Sequence, residues 1–387
     1  MAARTDRIGD GGADAFARIV FWTALATIAW TQVGYPAVIA ALAKRRRATV
    51  RKADVTPDVT VLVAAHDEER VIGQRVQNLL ELVYPPERLE IIVVSDASAD
   101  ATDAIVQEIA AVEPRVRLVR TSRGGKIAAL NQAVKRASGE ILAFTDANTR
   151  WAPDALAKLV RLFADDEVAY VCGRLELESS GGTNRESVYW RSELWLREQE
   201  STVGSITGGN GAIYAVRRGD YVERPFGHDL GFPHEMVKRR RRAVYEPAAL
   251  AFEKQSRDLE DEYRRKVRML RWSWQHVLEG RMLQRVDRLY LFQLVSHRAL
   301  RYCLGGLHVL LLTSNAALGR RPGPYRATLA LQGAWLAAAA MGRRRVPLPG
   351  ASLAYYYLLM NCATLEALVR YLRSGVPLVW EKAEGTR

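Results

Sequence analysis

The stretch Ile141-Leu142-Ala143-Phe144-Thr145-Asp146-Ala147-Asn148 passes from four apolar residues straight into Thr145, Asp146 and Asn148. A carboxylate and an amide oxygen at i and i+2, at the end of a short buried strand, can hold a hard divalent cation such as Mg²⁺ or Mn²⁺ that also grips a substrate diphosphate. Taken alone, an Asp in this place is more often a turn residue or a helix N-cap. Its neighbours shift that balance. Asp67 follows the β-branched run 59–64, Asp96 closes the apolar run 89–94, and Lys126 follows Gly124-Gly125 after the run 116–119. Three carboxylates and a lysine that end successive strands share one edge of a sheet, where open α/β folds bind ligands, and the set is the size of a nucleotide diphosphate.

The elements that place them can be read from periodicity. Strands at 59–64, 89–94, 116–119 and 141–144 alternate with helices at 71–82, 100–112 and 127–137. That alternation predicts an α/β fold with a mainly parallel sheet covered by helices on both faces. Further along, a helix is expected at 154–163, a strand at 169–177 and an amphipathic helix at 186–200. A glycine-rich loop at 204–211 leads into a strand at 212–216. Such glycines let backbone approach a ligand closely. His228 and Asp229 precede a helix at 235–242. A short strand at 245–252 and a basic helix at 257–275 complete a domain expected over 55–280.

The 387 residues carry a net charge of +13. Much of it lies in runs at 44–47, 238–242 and 343–345, beside apolar segments or on a helix. That placement favours membrane headgroups over nucleic acid, and no RNA-binding, zinc-finger or helix-turn-helix signature is present. Cys172, Cys303 and Cys362 are far apart and form no metal or redox spacing, which points to free thiols in a reducing compartment. Residues 1–18 are polar and Gly/Ala-rich and are expected to be disordered. Residues 19–43 contain no charge and are long enough, at roughly 20 residues per span, to cross a bilayer. The basic run that follows places the next domain on the cytoplasmic side of that membrane. A segment at 287–301 is expected to lie in the membrane interface. Three further spans are expected over 302–373, with a tail at 374–387.

The motifs together carry a resemblance. The chain resembles membrane-bound family 2 glycosyltransferases, a group that includes cellulose, chitin and hyaluronan synthases and bacterial exopolysaccharide enzymes. The likeness rests on Val61-Leu62-Val63-Ala64-Ala65-His66-Asp67-Glu68-Glu69, Ile92-Val93-Val94-Ser95-Asp96-Ala97-Ser98, Gly124-Gly125-Lys126-Ile127-Ala128-Ala129-Leu130-Asn131 and Phe144-Thr145-Asp146-Ala147-Asn148, in that order. It implies a glycosyltransferase A-type, Rossmann-like fold with transmembrane helices at both ends, and a nucleotide-sugar donor, UDP being favoured.

By the same resemblance Asp67 and Asp96 hold the uracil and ribose, and Lys126 lines the nucleotide pocket. Asp146 is the first carboxylate of an Asp-x-Asp metal motif whose second place is taken by Asn148. Asp229 matches the general base of a Thr-Glu-Asp motif, with His228 in place of its acidic neighbour. Arg271 and Trp272 match the end of a Gln-x-x-Arg-Trp motif, and Arg268 occupies its Gln position. Partial loss of that motif bears on processivity. The expected reaction is inverting transfer of a sugar to a polysaccharide or lipid-linked acceptor for cell-surface polysaccharide, with membrane lipids and a polysaccharide-export complex as partners. Two other readings remain. A nucleotidyltransferase would share the Asp-bearing strand ends, but it usually has a Gly-rich basic loop after the first strand, where this chain has His66-Asp67-Glu68-Glu69. An inactive scaffold for polysaccharide export would not need Asp96, Asp146 and Asp229.

Overall fold

A computed structural model of the chain describes residues 6–178, 185–224, 227–254, 259–279 and 282–376. The start of the helix expected at 257, and most of the expected tail, lie outside the described residues. Helix α1 (Asp6–Ala29), a π-helical turn (Trp30–Gly34) and α2 (Tyr35–Arg45) follow one another without a break. A Cβ on Gly34 would lie 2.6 Å from the Trp30 ring, so this turn requires glycine. Within this rod, Gly12–Arg45 is long and apolar enough to cross a membrane. The helix starts at Asp6, so much of the segment expected to be disordered is helical.

The next elements follow the predicted order: β1 (Val59–Ala65), α3 (Ile72–Leu80), β2 (Leu89–Asp96), α4 (Thr102–Val112), β3 (Val116–Thr121), α5 (Lys126–Val134) and β4 (Ile141–Asp146). A short β5 (Arg150–Trp151), α6 (Ala155–Val160), β6 (Val168–Glu178), α7 (Arg185–Val203), β7 (Tyr214–Arg217), α8 (His228–Lys238), β8 (Arg242–Lys254) and α9 (Leu259–Leu278) come next. The strands form one sheet in the order β3-β2-β1-β4-β7-β6-β8-β5. β3, β2, β1 and β4 are mutually parallel, whereas β7 runs antiparallel to both β4 and β6. Every residue of β1 is buried. Val59, Val61, Val63 and Ala65 pack with α3 and α6 on one face, and Leu62 and Ala64 with α5 and α8 on the other. Each such Val or Leu stabilises the fold by about 1.5–3 kcal/mol, which explains why strands covered on both faces read as unbroken apolar runs.

Register sets the working edge. Ala64 of β1 lies opposite Val94 of β2 and Asp146 of β4, so the three strands end at nearly one level. Past Gly173 the β6–β8 ladder slips, with Gly173 facing Glu246 and Arg174 facing Leu250. A Cβ on Gly173 would come within 2.7 Å of the Ala249 carbonyl, so glycine permits this bulge.

Helix α8 begins at His228, seven residues before the expected start. Pro233 lies inside it. Proline has no N–H to give the carbonyl four residues back. That carbonyl belongs to Asp229, and it accepts the Gly209 N–H at 2.7 Å instead.

Beyond the sheet, α10 (Arg288–Gln293), a second π-helical turn (Leu294–Ala299) and α11 (Leu300–Tyr302) form the segment expected at the membrane interface. Tyr290, Leu294, Ser296 and His297 are buried in protein. The Tyr290 hydroxyl reaches the Ile206 carbonyl at 3.1 Å, and Trp30 Nε1 donates to Ser296 Oγ at 3.1 Å. Helices α12 (Leu304–Leu318), α13 (Tyr325–Arg343) and α14 (Ala351–Ser374) stand where three spans are expected. Among the described residues, however, Gly12–Arg45 alone has the length and hydropathy of a span. Helix α12 has 15 residues, and α13 and α14 carry Arg326, Gln332, Asn361, Glu366 and Arg370. The end of α14 is fastened to α9. Trp274 Nε1 donates to the Thr364 carbonyl at 3.1 Å, Arg271 Nε to the Gly375 carbonyl at 3.0 Å, and the Tyr263 and Tyr371 hydroxyls to Glu366 and Glu279.

Candidate active site

The ends of β1 and β2 carry unusual backbone. Asp67 and Ala97 have φ of 49° and 53°, a left-handed conformation that non-glycine residues seldom adopt and that clusters at functional sites. Their turns are tied together. Asp67 Oδ1 accepts the Ala99 N–H at 2.7 Å, and Ser98 Oγ accepts the Asp67 N–H at 3.1 Å. Asp96 is 1% exposed, and its two carboxylate oxygens accept the Gly124 and Gly125 N–H groups at 2.8 and 3.0 Å. Gly125 has a φ of 86°, which glycine adopts freely. Asp96 therefore shapes the turn that launches α5, and the first residue of α5 is Lys126.

The Lys126 ammonium is paired with Asp146 at the end of β4. Burial pulls the Lys126 pKa down, but Asp146, and then Asp229 and Glu253, hold it above the usual lysine value. The glycine-rich loop lies over this pair: a Cβ on Gly211 would sit 3.4 Å from Lys126 Nζ and 3.6 Å from Asp146 Oδ2. The loop is fastened by Asn210, whose Oδ1 accepts the Ala212 and Ile213 N–H groups and whose Nδ2 reaches the Gly173 carbonyl at 2.8 Å.

Asn148 donates from Nδ2 to Glu253 Oε1 at 2.8 Å. Glu253 lies near the end of β8. Burial, and then Asp146, raise its pKa above the usual glutamate value. Asp146, Asn148 and Glu253 form an all-oxygen donor set of two carboxylates and an amide. A Mg²⁺ or Mn²⁺ ion commonly uses one or two carboxylates and completes its shell with substrate phosphate and water, so the set fits such an ion. Among the described residues no three His, Cys, Asp or Glu side chains gather closely enough to form a complete protein cage.

Asp229 sits half-buried in the first turn of α8, beside the loop that its carbonyl holds. His228 is buried, with its Nδ1 2.8 Å from the Tyr214 hydroxyl. Burial, and then Lys126 and Arg224, bring its pKa down to about 3, so the imidazole is neutral at physiological pH. It therefore supplies no negative charge where the matching motif has an acid.

The structure gathers Asp146, Lys126 and Asp229 around the glycine-rich loop, with Asn148 on Glu253 and with Asp67 and Asp96 on the neighbouring strand ends. Arg268, Arg271 and Trp272 lie on α9. Arg271 is turned towards the C-terminal end of α14, where it holds the Gly375 carbonyl and also reaches Ser374 Oγ at 3.4 Å. The α9 side chain whose charge reaches Glu253 is Arg265. Glu253 and Arg265 were not singled out from the sequence. The available signal was a carboxylate immediately after the strand predicted to end at 252, the same pattern that marks Asp96 and Asp146.

Residues 60–224 match the family model described as "Glycosyl transferase family 2". A beta-monoglucosyldiacylglycerol synthase of Trichormus variabilis is 31% identical over 212 residues, covering 52% of this chain and 44% of that protein. A poly-beta-1,6-N-acetyl-D-glucosamine synthase of Staphylococcus aureus is 24% identical, covering 52% of each. The matches thus span about half the length of these relatives. In fold, the chain is similar to a mannosyltransferase from Pyrobaculum calidifontis solved in complex with GDP-Man and Mn²⁺. The TM-score is 0.73 at 24% identity, covering 91% of this chain and 99% of that one. The match to a glycosyl transferase family 2 domain thus takes in β1 to β7 and the strand ends that carry Asp67, Asp96 and Asp146.

Proposed function

We propose that the protein is a membrane-bound inverting glycosyltransferase that moves a sugar from a nucleotide diphosphate, UDP being favoured, to a lipid-linked or polysaccharide acceptor. The observation that carries this reading is the Lys126–Asp146 pair beneath the glycine-rich loop with Asp229 alongside. The acceptor hydroxyl oxygen attacks the anomeric carbon as the bond from that carbon to the diphosphate oxygen breaks, and attack from the opposite side inverts the centre. Asp229 takes the hydroxyl proton. Lys126 faces the departing diphosphate and offsets its charge. Asp67 and Asp96 shape the nucleotide end of the pocket, and Arg268 and Trp272 approach from α9. A divalent cation held by Asp146, Asn148 and Glu253 would neutralise leaving-group charge when bound. Gly12–Arg45, followed by basic residues 46 and 47, supports a membrane anchor with the domain on its cytoplasmic side. A lipid acceptor accords with that anchor and with the name of the Trichormus relative.

The test is turnover of labelled UDP- and GDP-sugars by membranes carrying the full chain, with Mg²⁺ or Mn²⁺. Asp146→Ala is expected to abolish transfer, while Asn148→Asp retains it. Full activity of Asp146→Ala would refute the assignment of the site.

A further inference from the structure

A second cluster of charge is buried outside the donor site, where the N-terminal rod meets α7 and the second π-helical turn. Glu200 of α7 is fully buried. Its Oε1 accepts the Tyr35 hydroxyl at 2.6 Å and lies 2.6 Å from His297 Nδ1. Its Oε2 accepts both the backbone N–H of Thr207, at 3.0 Å, and the Thr207 hydroxyl, at 2.9 Å. Arg298 Nε donates to the same Thr207 oxygen at 3.0 Å, and its guanidinium covers Gly208 so closely that a Cβ there would meet Nη2 at 2.8 Å. Glu193 completes the cluster, paired with Arg301 and lying 3.8 Å from Arg298. Two carboxylates thus face two guanidiniums and the His297 ring.

Buried charge is costly, and apolar side chains would join these helices without that cost. What the charges add is direction. Thr207 and Gly208 belong to the glycine-rich loop, and the next residue, Gly209, holds the Asp229 carbonyl at 2.7 Å. Hydrogen bonds therefore join Tyr35, in the rod that can cross a membrane, through Glu200 to Thr207, and two residues of backbone carry the link on to Gly209, which holds the Asp229 carbonyl.

We propose that Glu200 is a positioning residue that fixes the 204–211 loop, and with it Asp229, to the seated N-terminal helix. The transferase geometry is then complete only when that helix is docked. This inference rests on the function proposed above, so its test has one arm that needs no substrate. Full-length protein in lipid nanodiscs is compared as wild type, Tyr35→Phe, Thr207→Val and the double variant. Amide hydrogen exchange of residues 205–211 is expected to speed up about tenfold in each single variant and little further in the double, because both break one chain of bonds. With an active donor, kcat is expected to fall about tenfold while the donor KM stays unchanged, and Thr207→Ser is expected to restore it. Unchanged exchange in Tyr35→Phe overturns the link. Faster exchange with wild-type kcat, or a rise in donor KM in place of a fall in kcat, overturns the positioning role. A wild type that turns over no nucleotide sugar refutes the transferase reading, while the exchange arm still decides the link.

Discussion

Replacing Asp96 by Asn tests whether the nucleotide end of the site is organised by charge. The carboxylate spends one oxygen on the Gly124 N–H and the other on the Gly125 N–H. Asparagine has a single oxygen, so one of these glycine N–H groups would face an NH₂ group in a site that is 1% exposed. The loss is a hydrogen bond to a charged group, about 1.5–3 kcal/mol, plus an unpaired buried donor, about 1–3 kcal/mol. A total of about 3–5 kcal/mol at roughly 2–4 °C per kcal/mol lowers the melting temperature of a domain this size by about 10 °C. The nearby Arg123 guanidinium, 3.5 Å from Asp96 and 31% exposed, contributes far less, so Arg123→Ala is expected to move the transition by only about 1–2 °C. Differential scanning fluorimetry of purified protein, with and without UDP, measures both effects. Because the Gly124-Gly125 turn carries Lys126, Asp96→Asn should also reduce the stabilisation produced by UDP. A variant that melts within a degree of the wild type and responds equally to UDP would refute the argument.

Glu253→Gln removes one of two carboxylates from the proposed cation site and is expected to weaken Mn²⁺ binding ten- to a hundredfold, read by electron paramagnetic resonance in the presence of UDP; unchanged affinity would exclude Glu253 from the site. Stability should also fall in acid through Glu200. Burial raises its pKa, but His297, Arg298 and the Tyr35 hydroxyl more than reverse this, taking it from 4.5 to about 2. A carboxylate whose pKa is lower in the folded protein contributes stability that is complete above about pH 4.5 and is lost as the pH falls towards 2, here roughly 3 kcal/mol. Thermal unfolding measured from pH 7 to pH 3 should show that slope in the wild type and a flatter one in Glu200→Gln.

The parallel half of the sheet was legible because its strands are buried on both faces and bounded by Gly and Asp, so each reads as a short apolar run. Asp96, Lys126 and Asp146 were legible for the same reason: they stand where those runs stop. Helix α8 was not, because Pro233 reads as a helix boundary. In the fold it is the residue that leaves the Asp229 carbonyl open to Gly209. Glu253 was missed because its partner, Asn148, is more than a hundred residues away and the antiparallel β5–β8 pairing, with Arg150 opposite Phe252, brings the two together. The segment 287–301 is expected at a membrane interface because Leu289, Leu291, Phe292 and Leu294 stand among basic residues. Arg298 and Arg301 find their partner in Glu193, on a helix about a hundred positions earlier.

The fastening of α14 to α9 has a kinetic side. Arg271, Trp274 and Tyr263 bind partners 104, 90 and 103 residues further along the chain. Contacts of such long sequence separation form late, after the local βα units have closed. During synthesis the strand ends bearing Asp96 and Asp146 can be in place while α9, with Arg265 and Arg268, still lacks the surface that holds it. On the proposed function, the sheet's share of the donor pocket is then built before the share that α9 contributes, and that interval separates folding of the sheet from completion of the proposed site.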